Sequence, residues 1–509
     1  MMNPGTAEPY LSAPGLASAA AAVVLGTLLW NIVRNILTSP IPSSVPGPFL
    51  ARITSKWILL VDLSGQRAQV VDALHKKHGP VVRLAPDELS FASRDAVKPI
   101  YGAGAAVVKS PAYNLFGKRG MFQMQDPREH RERQRRIAHV FSAASLQQTE
   151  PLVQAVVGRT VATIAASAGA PVDALHWCRM MALDVAGAVL MGRDFGAFDG
   201  DGAAPVYVRH LDNAYIAWAL NGLAPALVWL LERLPIQSLQ RFLAAREYVY
   251  SYGEHAVQQY LKTNGRASGR RTLISKMIAG NPETGAEPLS DADIVIEVSN
   301  NTFAAVDSTG NTAAYMLYRL ACAPEWQQRL RREIRASGAK ETGFQYQSLQ
   351  ALPVLNAVLV ETLRLHPAVP TGLPRLTVAP VTEIAGLRLP AKTIVSMQSY
   401  TTQHDATVFP DPDKFDPGRW LSGDGAAVFA GTPAAQEMTL VWGGRGPRAC
   451  SGQYMAAMEV KLLLARLVDR FHVRLQAEAT HGEMEMTAHF HLIPKGRRCG
   501  LVFDHEGGF

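Results

Sequence analysis

The chain has 509 residues, 48% of them hydrophobic and 18% charged, enough to bury a large core; disordered, collagen-like and coiled-coil architectures are excluded. Its four cysteines, Cys178, Cys322, Cys450 and Cys499, lie far apart with no Cys-x-x-Cys pair, which excludes a disulfide scaffold or a zinc ribbon. The net charge of +7 is scattered rather than concentrated, so no nucleic-acid partner is expected.

No charged side chain falls between Glu8 and Arg34. The helix-compatible part of that run, Leu16–Val33, has 18 residues and spans ~27 Å, near the thickness of a thin bilayer. A secretory leader begins with basic residues, whereas the one charge here before the apolar run is Glu8. A retained anchor is therefore expected, rather than a cleaved leader or a buried helix. Trp30 sits at the expected interface, and Arg34 places the rest of the chain in the cytosol. The segment Ser39–Pro48 carries four prolines in ten residues and cannot continue the helix. The expected organisation is a lumenal terminus over 1–15, a transmembrane anchor over 16–38, a proline-rich hinge over 39–48 and one large domain over 49–509.

Within that domain, Val81–Phe91 reads as strand, turn at Pro86, and strand. Helical apolar periodicity follows at Gln147–Met191, Val206–Leu234, Arg241–Lys262, Asp291–Ala323, Pro324–Ser337, Pro353–His366 and Gln453–Phe471. Strand character returns at Val378–Met397 around Ala385-Gly386. A terminal hairpin is expected over Met484–Val502, turning near Pro494-Lys495-Gly496. The fold class is mainly α with small β-sheets (α+β), because the strands are too few for a barrel or a doubly wound sheet.

Residues Trp442–Gly452 read WGGRGPRACSG, a cysteine among glycines just before an amphipathic helix. Glycines allow close backbone approach to a flat ligand, and a helix start just after Cys450 stabilises a thiolate. Read alone, the segment fits both a ligand loop and a glycine-rich turn around an inert cysteine. A second motif lies upstream. Pro353 opens a helix carrying Glu361 and Arg364 three residues apart on one face, continuing as Leu365-His366-Pro367. Between the two lies Phe415-Asp416-Pro417-Gly418-Arg419-Trp420.

Together these resemble the cytochrome P-450 superfamily of haem-thiolate monooxygenases, in the order E-x-x-R-L-H-P, F-x-P-x-R-W and G-x-R-x-C-x-G. The resemblance runs from the anchor to the terminal hairpin, and His78–Phe91 looks most like membrane-anchored fungal biosynthetic members. It implies the P-450 fold and haem b, with Cys450 as axial iron ligand. Gly446 and Gly452 shape the loop, and Trp442 stands in for an aromatic cover one place away from the family's position. It also implies that Glu361, Arg364 and Arg419 form a buried network behind the cysteine loop. Arg448 and Arg375 match propionate-binding positions. A third cation would come from a W/H-x-x-x-R helix; His130 occupies the first position, but Gln134 replaces the arginine, leaving Arg133 or Arg135 to substitute.

The oxygen-activating segment is Ala304–Gly310, where Ala305 replaces a glycine and Ser308 a threonine of the family pattern. Asp307 and Ser308 are expected to relay protons through water, with a local kink expected among these poor helix formers. The plainer reading is that they are helix-interior polar groups bonding back to carbonyls. Pocket elements are expected at Ala112–Met121, Asn213–Leu223, Phe303–Asp307, Ala368–Leu373 and Ala488–His491. They are predominantly apolar, so a small hydrophobic substrate, a fungal secondary-metabolite intermediate by resemblance, is expected. Electrons would come from NADPH through a separate NADPH-cytochrome reductase, with cytochrome b5 as a further donor, at the endoplasmic reticulum membrane. The alternatives are a haem-thiolate isomerase, dehydratase or peroxygenase, and a non-catalytic haem-binding sensor.

Overall fold

A computed structural model describes residues 13–200, 203–266, 272–281, 285–422, 428–442, 446–478 and 480–505. A helix, Ala13–Thr38, takes in the uncharged run from Ala13 to Val33 and Arg34 after it, with Val23, Leu25, Leu29, Trp30 and Leu37 exposed. The proline-rich segment after it is pinned to the body. Buried Arg83 donates to Ser39 Oγ (3.0 Å) and to the carbonyls of Ile41 (2.9 Å) and Pro42 (2.8 Å). Gly47 lies so close to this strand that a Cβ there would meet the Arg83 carbonyl at 2.5 Å, so no larger residue fits.

Strands Val81–Ala85 and Glu88–Phe91 start a five-stranded sheet. Its order continues through Ile394–Met397, Arg375–Thr377 and Val107–Lys109, with one parallel pairing, Glu88–Phe91 on Ile394–Met397. At its far edge the register sets Lys109 opposite Arg375. The rest is mostly helical. The central helix, Asp291–Cys322, is capped by the Ser290 side chain accepting from Asp293 N–H. It is buried along most of its length and packs against the helix Ala174–Ala186. By length and composition the candidate membrane span among the described residues is Ala174–Met191, with mean hydropathy 1.3. It is 83% buried against these neighbours, so it serves as a core helix.

Several expected elements are differently bounded. Gln147–Met191 is two helices, Ala143–Ala166 and Ala174–Ala186, separated by strand Pro171–Asp173; that strand joins Phe471–Leu475 and Gly500–His505 in a three-stranded sheet. Val206–Leu234 breaks at Ala224, before Pro225, into Ala203–Leu223 and Pro225–Leu231. The terminal hairpin pairs Met486–His489 with His491–Pro494 and turns at Phe490, whose φ is 80°. The Pro494–Gly496 turn instead leads out of that hairpin toward the last strand. The central helix runs unbroken through Ala304–Gly310, so the expected kink does not interrupt its hydrogen bonding.

Candidate active site

The cysteine loop is built from both ends. Gly446, at φ 77°, approaches the Tyr101 carbonyl so closely that a Cβ would sit 2.5 Å from it. Cys450 N–H donates to the Trp442 carbonyl at 2.8 Å, and Trp442 itself adopts φ 59°. Gly443, Gly444 and Arg445 lie outside the described residues. Gly452 then caps the helix Gln453–Arg470. Burial pushes the Cys450 thiol up, while N–H groups of Gly452 and Gln453 directed at the sulfur pull it down. The side chain lies deep in the fold yet is not covered by protein atoms.

Behind the loop, Glu361 and Arg364 are fully buried, with Arg364 Nε and Nη2 donating to the carboxylate at 2.8 and 2.9 Å. The same carboxylate accepts from Asp416 N–H (2.9 Å) and Trp420 Nε1 (2.9 Å), and Arg419 Nε approaches it at 3.4 Å. Arg364 also donates to the carbonyls of Gln403, Pro412 and Lys414. The three expected residues meet, and Trp420 joins them as an indole donor.

A second cluster gathers basic side chains. Arg448 donates to the carbonyls of Met124 (2.9 Å) and Gln125 (3.1 Å); burial and then Arg375 lower its pKa to about 10. Arg375 donates to the Tyr113 hydroxyl at 2.9 Å. His130 is buried, and burial followed by the charges of Arg448 and Lys109 pushes its pKa down to about 3. Lys109, which the sequence reading missed, is buried beside them. Among the described residues none of these four makes an ion pair with a carboxylate. The expected substitutes for the missing arginine lie elsewhere. Arg133 pairs with Asp293 (2.5 Å) and Glu297 (3.3 Å), and Arg135 is exposed. Helix periodicity turns Arg133 toward the start of the central helix, where two carboxylates hold it.

On the central helix, Ala304 is exposed and Ser308 half-buried, while Asp307 is buried. Ser308 Oγ donates back to the Ala304 carbonyl at 2.6 Å. Asp307 points elsewhere, receiving Arg179 Nε at 2.9 Å and standing 2.7 Å from its Nη2. Burial lowers the Arg179 pKa, but Asp307 and Asp212 outweigh it and hold the guanidinium charged. Arg179 had no motif to mark it.

The five expected pocket segments converge. Phe116 meets Trp218 (ring centroids 6.3 Å) and Phe490 (4.6 Å), and Trp218 meets Phe303 (5.7 Å). The fifth segment joins through Ala368, whose carbonyl accepts from Leu492 N–H at 3.0 Å. A polar contact also joins two of these segments: the Tyr215 hydroxyl lies 2.9 Å from His491 Nδ1. Asn300, within a formal glycosylation sequon, is buried in the central helix.

A family profile described as "Cytochrome P450" matches residues 46–499. Among curated proteins, the chain is 29% identical to "Cytochrome P450 monooxygenase orf2" of Aspergillus niger, over 96% of this chain and 99% of that one. It is also 29% identical to "Cytochrome P450 monooxygenase ORF9" of Penicillium roqueforti, over 92% and 90% of the two chains. "Benzoate 4-monooxygenase bphA" of Aspergillus niger is 29% identical over 97% of both. The chain belongs to the cytochrome P450 family and is a haem-thiolate monooxygenase, an oxidoreductase. The residues present fit that cofactor: an uncovered thiol under two N–H groups, with buried or half-buried cations that lack carboxylate partners among the described residues, suits an iron porphyrin bearing two propionates.

Proposed function

We propose that Cys450 would hold the haem iron through its thiolate and that the enzyme inserts one oxygen atom from O2 into a small hydrophobic substrate. The carrying observation is the pair of cations beside the cysteine loop, buried Arg375 and half-buried Arg448, next to the neutral buried ring of His130, with no carboxylate paired to either cation among the described residues. Buried cations are costly unless an anion joins them, and propionates are that anion. Haem, when bound, supplies the oxygen-activating chemistry. Gly446 lets the loop approach closely, Gly452 and Gln453 stabilise the thiolate, and Trp442 holds the Cys450 peptide. The Glu361–Arg364–Arg419 network fixes the loop from behind. Asp307 and Ser308 supply a carboxylate and a hydroxyl for proton delivery from the uncovered stretch at Ala304.

The converging aromatic rings exclude water and favour an apolar substrate, a fungal secondary-metabolite intermediate in keeping with the fungal relatives. Electrons come from NADPH through a separate reductase, with cytochrome b5 as a further donor. The glycine-containing run Gly102–Val107 leads into strand Val107–Lys109 and not into a helix, so it forms no dinucleotide loop. The exposed apolar helix Ala13–Thr38 anchors the chain in the endoplasmic reticulum membrane, with the domain over 49–509 on the cytosolic side. In the test, full-length enzyme is supplied with NADPH, reductase and isotope-labelled O2. Label in the product, together with loss of the red-shifted Soret band of the reduced carbon-monoxide adduct in Cys450→Ser, is the expected result. Product formed without reductase refutes this reading and favours an isomerase, dehydratase or peroxygenase.

A further inference from the structure

Lys109 ends the strand Val107–Lys109 and stands directly opposite Arg375 in the antiparallel register. Opposed residues share one face of a sheet, and like charges set opposite each other are destabilising. Lys109 is nevertheless only 6% exposed. Its Nζ donates to the Phe122 carbonyl at 2.6 Å and lies 4.8 Å from the ring centroids of both Tyr113 and Phe122. An ammonium carries three donors, and one carbonyl uses one of them. Tyr113 also receives Arg375 Nη1, so one ring links the two cations. The Met124 and Gln125 carbonyls that hold Arg448 follow Phe122 by two and three residues. One short stretch of chain therefore gathers Lys109 and Arg448, and the sheet adds Arg375.

The carboxylate whose charge acts on Lys109, Glu297, is already committed to Arg133 and to Met121 N–H at 2.8 Å. Burial, then Arg375 and Arg448, hold the Lys109 pKa well below the ordinary lysine value. An anion reaching the cluster reverses that penalty. The helix that should offer a third arginine has Gln134 at the position, Arg133 paired elsewhere and Arg135 exposed.

We infer that Lys109 is the third cation for the haem propionates, taking the place of the absent helix arginine. This rests on the haem-thiolate reading above. Its register against Arg375 brings Lys109 to the cluster.

The test uses full-length holoenzyme with Lys109→Met, which keeps the stem, and Lys109→Arg, which keeps the charge. Three properties are measured: the reduced carbon-monoxide spectrum, haem release to excess apomyoglobin, and the reduction potential of the bound haem. The Met variant should retain the thiolate band, release haem about tenfold faster, and show a more negative potential, because a charge-assisted contact and a cation beside the propionates are both lost. The Arg variant should return both properties toward wild type. A merely structural lysine would leave the potential unmoved. Wild-type release and potential in Lys109→Met overturn the inference. If the Met variant yields no holoprotein, recovery of haem content in Lys109→Arg supports it, and failure in both overturns it. Absence of the thiolate band in the wild type would instead be the failure of the haem-thiolate reading itself.

Discussion

Arg179 binds Asp307 and Asp212 with one guanidinium, at 2.7 Å and 2.6 Å from its Nη2. Asp212 in turn meets Arg497 at 3.0 Å, so a chain of alternating charge runs from the central helix to a half-exposed arginine. The helices Ala174–Ala186, Ala203–Leu223 and Asp291–Cys322 are thereby fastened at the residue proposed to serve proton delivery. A guanidinium does not release its proton, so Arg179 positions Asp307 without itself donating a proton to the path.

Lysine at position 179 keeps the charge but loses the fork that spans two carboxylates. Arg179→Lys should therefore retain haem and the carbon-monoxide band while product formed per NADPH consumed falls. Asp307→Asn and Ser308→Ala should each lower turnover by about ten- to a hundred-fold, and their double should be little worse, since they act on one path. The check is product per NADPH in each variant. Unchanged coupling in Arg179→Lys would separate the ion pair from the relay.

The Glu361 carboxylate should be far less replaceable than its indole partner. Glu361→Gln leaves the fully buried Arg364 guanidinium without its counter-charge, a loss of about 3–5 kcal/mol. Trp420→Phe removes one hydrogen bond to a charged group, about 1.5–3 kcal/mol, and keeps most of the ring. Little Glu361→Gln holoprotein should accumulate, whereas Trp420→Phe should bind haem and unfold at lower urea. Equal holoprotein yields for the two would contradict this ranking.

The parts legible in the sequence are those whose chemistry is local. Glu361 and Arg364 share a helix face because of their spacing, and Gly446 to Gly452 form one loop, so contiguous residues announced them. Lys109 and Arg179 were not legible, because each sits in an apolar element and gains its meaning from a partner far along the chain, Arg375 and Asp307. The break between Ala166 and Ala174 was hidden for a related reason. Apolar periodicity continues on both sides, and the Pro171–Asp173 strand pairs with Gly500–His505, some 330 residues later. Phe490 carries no glycine or proline signal. Its left-handed backbone is held by the pairing of His489 with His491, while the visible Pro494–Gly496 turn does a different job.

Deleting residues 1–38 removes the exposed apolar helix but keeps Ser39, Ile41 and Pro42, which Arg83 grips. The shortened protein should leave the membrane pellet and still bind haem. Exposed Leu227, Trp229, Leu230 and Ile236 offer a weaker apolar surface, which high salt would not disrupt but mild detergent would. Fractionation of both forms, with and without detergent, is the measurement. Full retention of the shortened form in detergent-free membranes would place the main attachment at that second surface.

His491 gives the fold an acid-side sensitivity. Burial, and then the neighbouring Arg179 charge, push its pKa down to about 3, against about 6.5 for an exposed histidine. Between those values the unfolded chain binds a proton that the folded chain refuses. The contribution of the neutral ring is therefore fully present above about pH 6.5 and is lost as pH falls toward 3. The slope from one such group approaches about 1.4 kcal/mol per pH unit. His491→Gln keeps an acceptor for the Tyr215 hydroxyl, 2.9 Å from Nδ1, but cannot take up the proton. Its urea midpoint should change less than that of wild type between about pH 7.5 and pH 5.5. His75, His130, His366 and His404 are also pushed down by burial and remain in both proteins, so the variant keeps part of the acid sensitivity. The quantity to compare is the difference between the two pH dependences. Parallel curves would mean that His491 is already protonated in the folded state, with the Tyr215 hydroxyl accepting from it and the Arg179 charge offset by Asp212 and Asp307.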